Sequence, residues 1–262
     1  MSFSILGSSS SGNCALVATE DCTVLIDIGL SCRRTCGLLE ERGIRPEEID
    51  AIFLTHEHSD HASGLSTFCK RFKAKIFANE LTARALLPTL KSQPQWQLFS
   101  TGTSFAFRDL VVESFALPHD AHDPVGFTFA SGRDDLFSPL RKLAWLTDLG
   151  FAPRHALERI RDVDTLIVES NHDTELLQSN ERRPWAVKQR IGGRHGHLSN
   201  QAASELLAAA ERPRWKRVFL AHLSRDCNSP EAVDKAFSPL RQSAPYAIEA
   251  VQAEAGTLLE AV

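Results

Sequence analysis

The densest chemistry in this chain is the run Thr55-His56-Glu57-His58-Ser59-Asp60-His61. Three imidazoles and two carboxylates follow directly on the apolar stretch Ala51-Ile52-Phe53-Leu54, which has the length and content of a buried strand. In an extended segment alternate side chains share a face, so His56, His58 and Asp60 are expected to converge on one point. His61 is expected to join them from the start of the next helix. Nitrogen and oxygen donors at this density suit a divalent ion of the zinc or manganese kind. The zincin pattern, two helical histidines flanking a glutamate, is absent.

Other ligand-type residues also stand at the ends of apolar runs. Asp27 follows Thr23-Val24-Leu25-Ile26, Asp148 follows Leu143-Ala144-Trp145-Leu146-Thr147, and Glu169 follows Thr165-Leu166-Ile167-Val168. His222 follows Arg217-Val218-Phe219-Leu220-Ala221, and His119 follows Phe115-Ala116-Leu117-Pro118. Loops at one rim of packed sheets are where a rigid scaffold holds reactive groups. A carboxylate such as Asp27 needs a partner there, and a histidine holding an ion with its other nitrogen would serve.

Around these points the chain alternates strands and helices: β, then β/α from Thr23 to Leu87, β-rich from Trp96 to Ser131, and β/α again to Val251. Helices are expected over 33–42, 62–72, 81–87, 199–211 and 231–240, and a surface loop over 133–141. Sheets in both halves with helices outside them predict an α/β fold, a four-layer αββα sandwich, formed as one domain over 1–262. Gly7-Ser8-Ser9-Ser10-Ser11-Gly12-Asn13 reads as a tight turn whose Ser10, Ser11 and Asn13 are candidates to meet an anionic substrate.

The chain has 262 residues, 43% hydrophobic and 24% charged, as a soluble globular protein does. A net charge of −4 argues against a protein that coats nucleic acid by bulk charge, though not against a local basic patch. Such a patch lies at 182–194, where Arg182, Arg183, Lys188, Arg190 and Arg194 occur without an acid and Trp185 offers a stacking surface. The first residues lack the basic and apolar regions of a signal peptide, and no apolar run is long enough for a membrane span. Six cysteines without a CxxC pair point to free thiols in a reducing cytoplasm, with Cys32 and Cys36 packing in a core.

The ordered set of motifs resembles the metallo-β-lactamase fold, and within it the YycJ/WalJ (VicX) group. It comprises Gly-Ser-Ser-Ser-Ser-Gly-Asn at 7–13, Leu-Ile-Asp-Ile-Gly at 25–29, the histidine run at 55–61, and Pro-His-Asp-Ala at 118–121. Thr-Asp-Leu-Gly at 147–150, Glu-Ser-Asn-His-Asp at 169–173, Gly-His-Leu-Ser-Asn at 196–200 and Ala-His-Leu-Ser at 221–224 complete it. The resemblance implies two divalent ions, zinc, manganese or iron. His56, His58 and His119 would hold one, Asp60, His61 and His222 the other, and Asp148 would bridge. It further implies a hydrolase in which His197, oriented by Glu169, protonates the leaving oxygen, as in tRNase Z-type phosphodiesterases. His122 and His155 stand outside that set. The implied activity is that of a 5′ exonuclease on double-stranded DNA, with Asp60, His197 and Glu169 as catalytic groups; the basic run leading into His197 makes Arg190 and Arg194 the candidates to grip phosphates. A small-molecule hydrolase of thioesters, lactones or cyclic phosphodiesters, or a metal-binding accessory protein, are the alternatives.

Overall fold

The computed structural model describes residues 1–91, 93–133, 135, 139–252 and 256–262. Of the loop expected over 133–141, residues 134 and 136–138 lie outside the described residues. The strands are β1 (Ser2–Gly7), β2 (Cys14–Ala18), β3 (Thr23–Ile26), β4 (Ala51–Phe53), β5 (Lys75–Asn79), β6 (Gln95–Phe99) and β7 (Ser104–Phe107). After them come β8 (Leu110–Ala116), β9 (Val125–Ser131), β10 (Arg141–Leu146), β11 (Thr165–Glu169), β12 (Arg217–Ala221), β13 (Ala247–Ala250) and β14 (Glu260–Ala261). They form two sheets, ordered β14-β1-β2-β3-β4-β5-β6 and β13-β12-β11-β10-β9-β8-β7.

Within each sheet four neighbouring strands out to one edge run parallel, β3 to β6 in the first and β10 to β13 in the second. Parallel strands covered on both faces read as continuous apolar runs, which is why these were visible in the sequence. Side-chain alternation then sorts each run between two cores. Ile26, Phe53, Trp145, Ile167 and Phe219 enter a shared core between the sheets. Leu25 and Ile52 point the other way, against helices α1 (Cys32–Glu40) and α3 (Leu65–Arg71). Leu146, Leu166 and Leu220 meet α5 (Arg154–Arg161), α8 (Asn200–Ala209) and α9 (Pro230–Ser243) on the second outer face. The layers are therefore helix, sheet, sheet, helix, as expected.

Among the described residues four further short α-helices are α2 (Ser59–Ala62), α4 (Glu80–Leu86), α6 (Thr174–Ser179) and α7 (Trp185–Ile191), with 3-10 turns at Pro46–Glu48 and Leu87–Thr89. The helix expected over 62–72 is instead two, α2 and α3, with Gly64 between them. A Cβ on Gly64 would lie 2.2 Å from the Leu30 carbonyl oxygen, so the break is where the chain crosses another backbone. The basic stretch 182–194 is likewise no simple strip, because most of it is α7 and the turn after it. None of the helices is long and apolar enough to cross a membrane, among the described residues.

Candidate binuclear metal centre

Because the parallel strands of both sheets point the same way, their carboxyl ends deliver Asp27, His56, Asp148, Glu169 and His222 to one rim. Asp27, Asp148 and His222 all have left-handed backbone, with φ of 57°, 63° and 55°. That region costs a non-glycine residue of order 1 kcal/mol and turns the chain sharply off the strand. The three residues thus leave their strands by a strained turn and remain buried at the site.

The rim gathers three donor groups, two of them overlapping; one of the overlapping pair is Asp148, Glu169, His197 and His222. His56, His58 and His119 bring their ring nitrogens within 4.8 Å of one another, as do the donor atoms of Asp60, His61, Asp148 and His222. Asp148 links the groups: its Oδ2 lies 3.2 Å from His61 Nε2, and its Oδ1 lies 3.6 Å from His222 Nε2 and 3.8 Å from His119 Nε2. One expectation is corrected. Asp60 does not converge with His56 and His58 by strand alternation, since the extended segment ends at His58 and Asp60 sits in α2. The helical turn carries Asp60 to the group of His61 and His222, 3.5 Å from both.

Four histidines have their Nδ1 atoms occupied by the protein. Partners are Thr55 Oγ1 for His56 at 3.0 Å, Asp27 for His61 at 2.7 Å, the Gly196 carbonyl for His119 at 3.0 Å and Glu169 for His222 at 2.6 Å. Asp27 in turn accepts from the Thr55 N–H at 2.8 Å. Each ring is thereby fixed with Nε2 toward the cluster, the arrangement by which proteins orient metal-binding imidazoles. Nε2 of His56 and His222 and Oδ2 of Asp148 are buried with no hydrogen-bond partner among the described residues. Orphaned buried polar atoms cost about 1–3 kcal/mol each, and three converging on one spot fit a cation.

The electrostatics agree. Burial pushes Asp148 upward, but His222 and His61 outweigh it and hold the carboxyl well below its usual range. Burial opposes a charge on His222, yet Asp148, Asp60 and Glu169 raise it to about 10. Burial together with neighbouring His61 keeps His56 neutral, as a ligand must be. Protons are favoured on His61 and His222 and disfavoured on His56 and His119, so the negative potential is concentrated on the Asp60–Asp148 side of the site.

Glu169 is shared. Its Oε1 accepts from His197 Nδ1 at 2.8 Å and from His222, while its Oε2 accepts the Leu198 N–H at 2.9 Å. Burial raises it, but His197 and His222 bring it down to about 2. His197 lines the central cavity of about 200 Å³ together with His58, His119, Asp60, Asp148 and His222.

The proposed substrate contacts divide. Ser10 and Arg190 line this cavity, as does Arg183. Arg190 reaches Asp120, next to His119, in a short ion pair. Arg194 stands over the Phe151 ring at 4.7 Å, outside that lining. Ser11 lines a separate recess. Asn13 is fully buried; its N–H donates to the Asp60 carbonyl at 2.7 Å and its amide lies 3.0 Å from His61 Nε2, so it supports the α2 turn from beneath. Trp185 is exposed, but on α7 it lies about 160° from Val187, which faces the cavity, so it points away. His122 pairs with Glu57 at 2.6 Å and His155 bonds the Ala116 carbonyl at 2.9 Å, both away from the cluster.

Two features escaped the sequence reading. Asn171 and Ser224 line the cavity; both lie inside the motifs at 169–173 and 221–224, but neither carries a charge that would single it out there. The seam under the site was also hidden: a Cβ on Gly29 would lie 1.6 Å from the Asp60 carbonyl oxygen, so backbone touches backbone there.

Comparison with known proteins bears on this geometry. Residues 9–138 match the model of the metallo-β-lactamase superfamily. The chain is 34% identical over 248 residues to exodeoxyribonuclease YycJ of Bacillus anthracis, covering 94% of this chain and 91% of that one. It is 36% identical to exodeoxyribonuclease WalJ of Streptococcus pneumoniae, over 87% of this chain and 84% of the relative. The crystal structure of Zn2+-bound PqqB from Methylobacterium extorquens superposes with a TM-score of 0.74 at 16% identity, covering the whole of both chains, a likeness of fold. On these grounds the chain belongs to the YycJ/WalJ family of the metallo-β-lactamase superfamily.

Proposed function

We propose that this metal-dependent hydrolase is a binuclear phosphodiesterase that removes nucleotides from the 5′ end of double-stranded DNA in the cytoplasm. The observation that carries the phosphodiester reading is His197, hydrogen-bonded to Glu169 and facing the same cavity as the other two donor groups. Relatives named exodeoxyribonuclease over nearly the whole chain support DNA as the substrate. Six free cysteines suit a reducing compartment.

His56, His58 and His119 would hold one ion and Asp60, His61 and His222 the other, with Asp148 between. Zinc, manganese or iron would suit a donor set of imidazoles and carboxylates. Bound there, two such ions supply Lewis acidity to the phosphoryl group and lower the pKa of water toward neutrality.

The remaining work falls to the chain. Glu169 stays ionised and receives the His197 Nδ1–H, which turns His197 Nε2 toward the cavity as the atom that passes a proton to the departing oxygen. Asp27 and Gly196 hold His61 and His119 in register. Arg183 and Arg190, on the α7 side, face the non-bridging phosphate oxygens, and Ser10 closes the opposite side.

End-labelled double- and single-stranded DNA and RNA, incubated with manganese or zinc beside an Asp60→Ala control, test this reading. Digestion of duplex DNA from the 5′ end is expected. Hydrolysis of thioesters or lactones without cleavage of any nucleic acid would overturn it. His197→Ala is expected to lower turnover about 10²–10⁴-fold with metal content intact; loss of metal as well would make His197 a ligand instead.

A further inference from the structure

His197 and Glu169 meet across 28 residues of chain and stand on no common strand or helix. Glu169 ends β11, whereas His197 stands three residues ahead of the start of α8. Backbone contact between the two segments is short. A bridge pairs His172 with Ser199, the Asn171 N–H donates to the Leu198 carbonyl at 2.9 Å, and the Asn200 N–H donates to the His172 carbonyl at 2.8 Å. A proton donor that must be held within about 0.5 Å of its working geometry needs firmer support than this.

Three polar side chains behind the cavity supply it. Asn200 and Asn228 form a reciprocal amide pair: Asn200 Nδ2 donates to Asn228 Oδ1 at 2.8 Å, and Asn228 Nδ2 donates to Asn200 Oδ1 at 3.0 Å. Ser170, next to Glu169, donates its hydroxyl to Asn200 Oδ1 at 2.7 Å. The other hydrogen of Asn228 Nδ2 is shared between the Ser170 and Asn171 carbonyls, at 2.9 and 3.1 Å. Asn228 Oδ1 also accepts the Ser229 N–H at 3.0 Å. The Glu169 and His197 segments are thereby clamped to each other and to the loop that follows His222.

Neither asparagine lines the central cavity, so neither meets the substrate there. Ser170 and Asn200 are buried, flanked in sequence by Val168, Leu198 and Ala203 of the outer core. Polar groups in such a place cost free energy unless they are bonded. Apolar side chains would fill the space without that cost, whereas a fully bonded polar network fixes one arrangement. The amides are neutral, so the clamp adds no charge beside the Glu169 carboxylate.

We propose that the Asn200–Asn228 amide pair positions the proton donor: it sets the spacing of Glu169 and His197 and keeps His197 Nε2 aimed at the departing oxygen. The inference rests on the phosphodiesterase reading of His197 and adds the residues that hold it in place. As the P–O bond breaks, its electron pair stays on the departing oxygen, which takes the Nε2 proton. The neutral imidazole keeps its Nδ1–H on Glu169. Both asparagines act only through His197, so their loss matters in proportion to the leaving group's need for a proton. A p-nitrophenolate departs unaided, and a more basic oxygen does not.

The test is a leaving-group series: aryl esters of thymidine 5′-monophosphate, with phenols from p-nitrophenol to unsubstituted phenol, and duplex DNA alongside. The parent is compared with His197→Ala, Asn228→Ala and Asn228→Asp, each with metal content by elemental analysis and a urea unfolding curve. Asn228→Asp keeps the size of the half-buried side chain and its acceptor oxygen but cannot donate, so it carries the test if the alanine variant fails to fold. Asp164→Asn, which removes an ion pair with Lys216 where the same strands begin, controls for lost stability. Both Asn228 variants are expected to lose up to about 10²-fold on the phenyl ester and little on the p-nitrophenyl ester, with metal retained. Their slopes thus steepen toward that of His197→Ala, while Asp164→Asn keeps the slope of the parent. Equal loss on every ester, a slope that Asp164→Asn changes as much, or loss of metal would each overturn the positioning role. Failure of the nuclease reading looks different: the slopes separate as expected and the parent leaves duplex DNA uncut.

Discussion

The two rims of the paired sheets treat their carboxylates in opposite ways. At the rim where the parallel strands begin, Asp50 accepts the Thr23 N–H at 3.0 Å and pairs with Arg108 at 2.6 Å. Asp164 accepts the Lys142 N–H at 2.9 Å and pairs with Lys216 at 2.7 Å. Both of these carboxylates have a cation from the chain. At the rim where the strands end, the ion-pair partners of Asp27, Asp60 and Asp148 are all histidines. Left-handed backbone and unpartnered nitrogens accompany them. One rim uses aspartate to hold strands in place, and the other keeps negative charge in reserve for something that is not part of the chain. Left-handed backbone and unmet hydrogen bonding that fall on the proposed ligands themselves mark a functional site.

Substitutions at the two rims should therefore differ most in their effect on activity. Asp148→Ala should have the largest effect, lowering hydrolysis by at least roughly 10²-fold and reducing metal content as measured by elemental analysis. The metal-free variant should also lose some stability, because His222 and His61 hold this carboxylate ionised in the folded chain and are left without it. A variant that kept its metal and lost stability would make the two rims alike.

Asp27→Asn should act more mildly. The amide keeps an acceptor for Thr55 but cannot receive the His61 Nδ1–H, so metal affinity should fall about 10–100-fold in a competition titration with a chelator. Unchanged affinity would show that His61 is held in register by packing alone.

Asp164→Asn should have the smallest effect on catalysis and a clear one on folding. Burial raises this carboxyl, but Lys216 and the Lys142 N–H outweigh it and hold it below the ordinary range. Its contribution is therefore present above the unfolded value near about 3.9 and disappears as pH falls through the lower folded value. Urea unfolding at pH 7 should show a loss of about 1–3 kcal/mol, with variant and parent converging in strong acid and metal content untouched. A gap that persists at low pH would assign the cost to packing instead of charge.

Much of this contrast is written in residue order. The ligand-type residues at strand ends are legible because fully buried parallel strands are unbroken apolar runs, so the first polar residue past each run marks the rim. The grouping of those residues is less so: Asp60 looks like the third member of an alternating strand and belongs to a helical turn. The left-handed turns at Asp27, Asp148 and His222 carry only a weak signal in residue type, since aspartate and histidine enter such backbone more readily than most side chains but glycine is the usual occupant. The basic stretch was visible as charge, but α7 alone decides that Arg190 faces the cavity while Trp185 faces away. Arg194 was a phosphate candidate by proximity in sequence and is engaged with Phe151 instead. Pairings such as Asn13 under Asp60 depend on two backbones meeting 47 residues apart, which no local pattern announces.

That meeting has a hereditary consequence. At Gly29 the space for a side chain is already filled by the Asp60 carbonyl, whereas Gly37, on α1, has nothing within 4 Å of its absent methyl group. In a library of random variants selected for activity, position 37 should tolerate a crowd of replacements and position 29 none. A single missing carbon at residue 29 thus makes its codon as unforgiving as those of the histidines, although glycine takes no part in the chemistry.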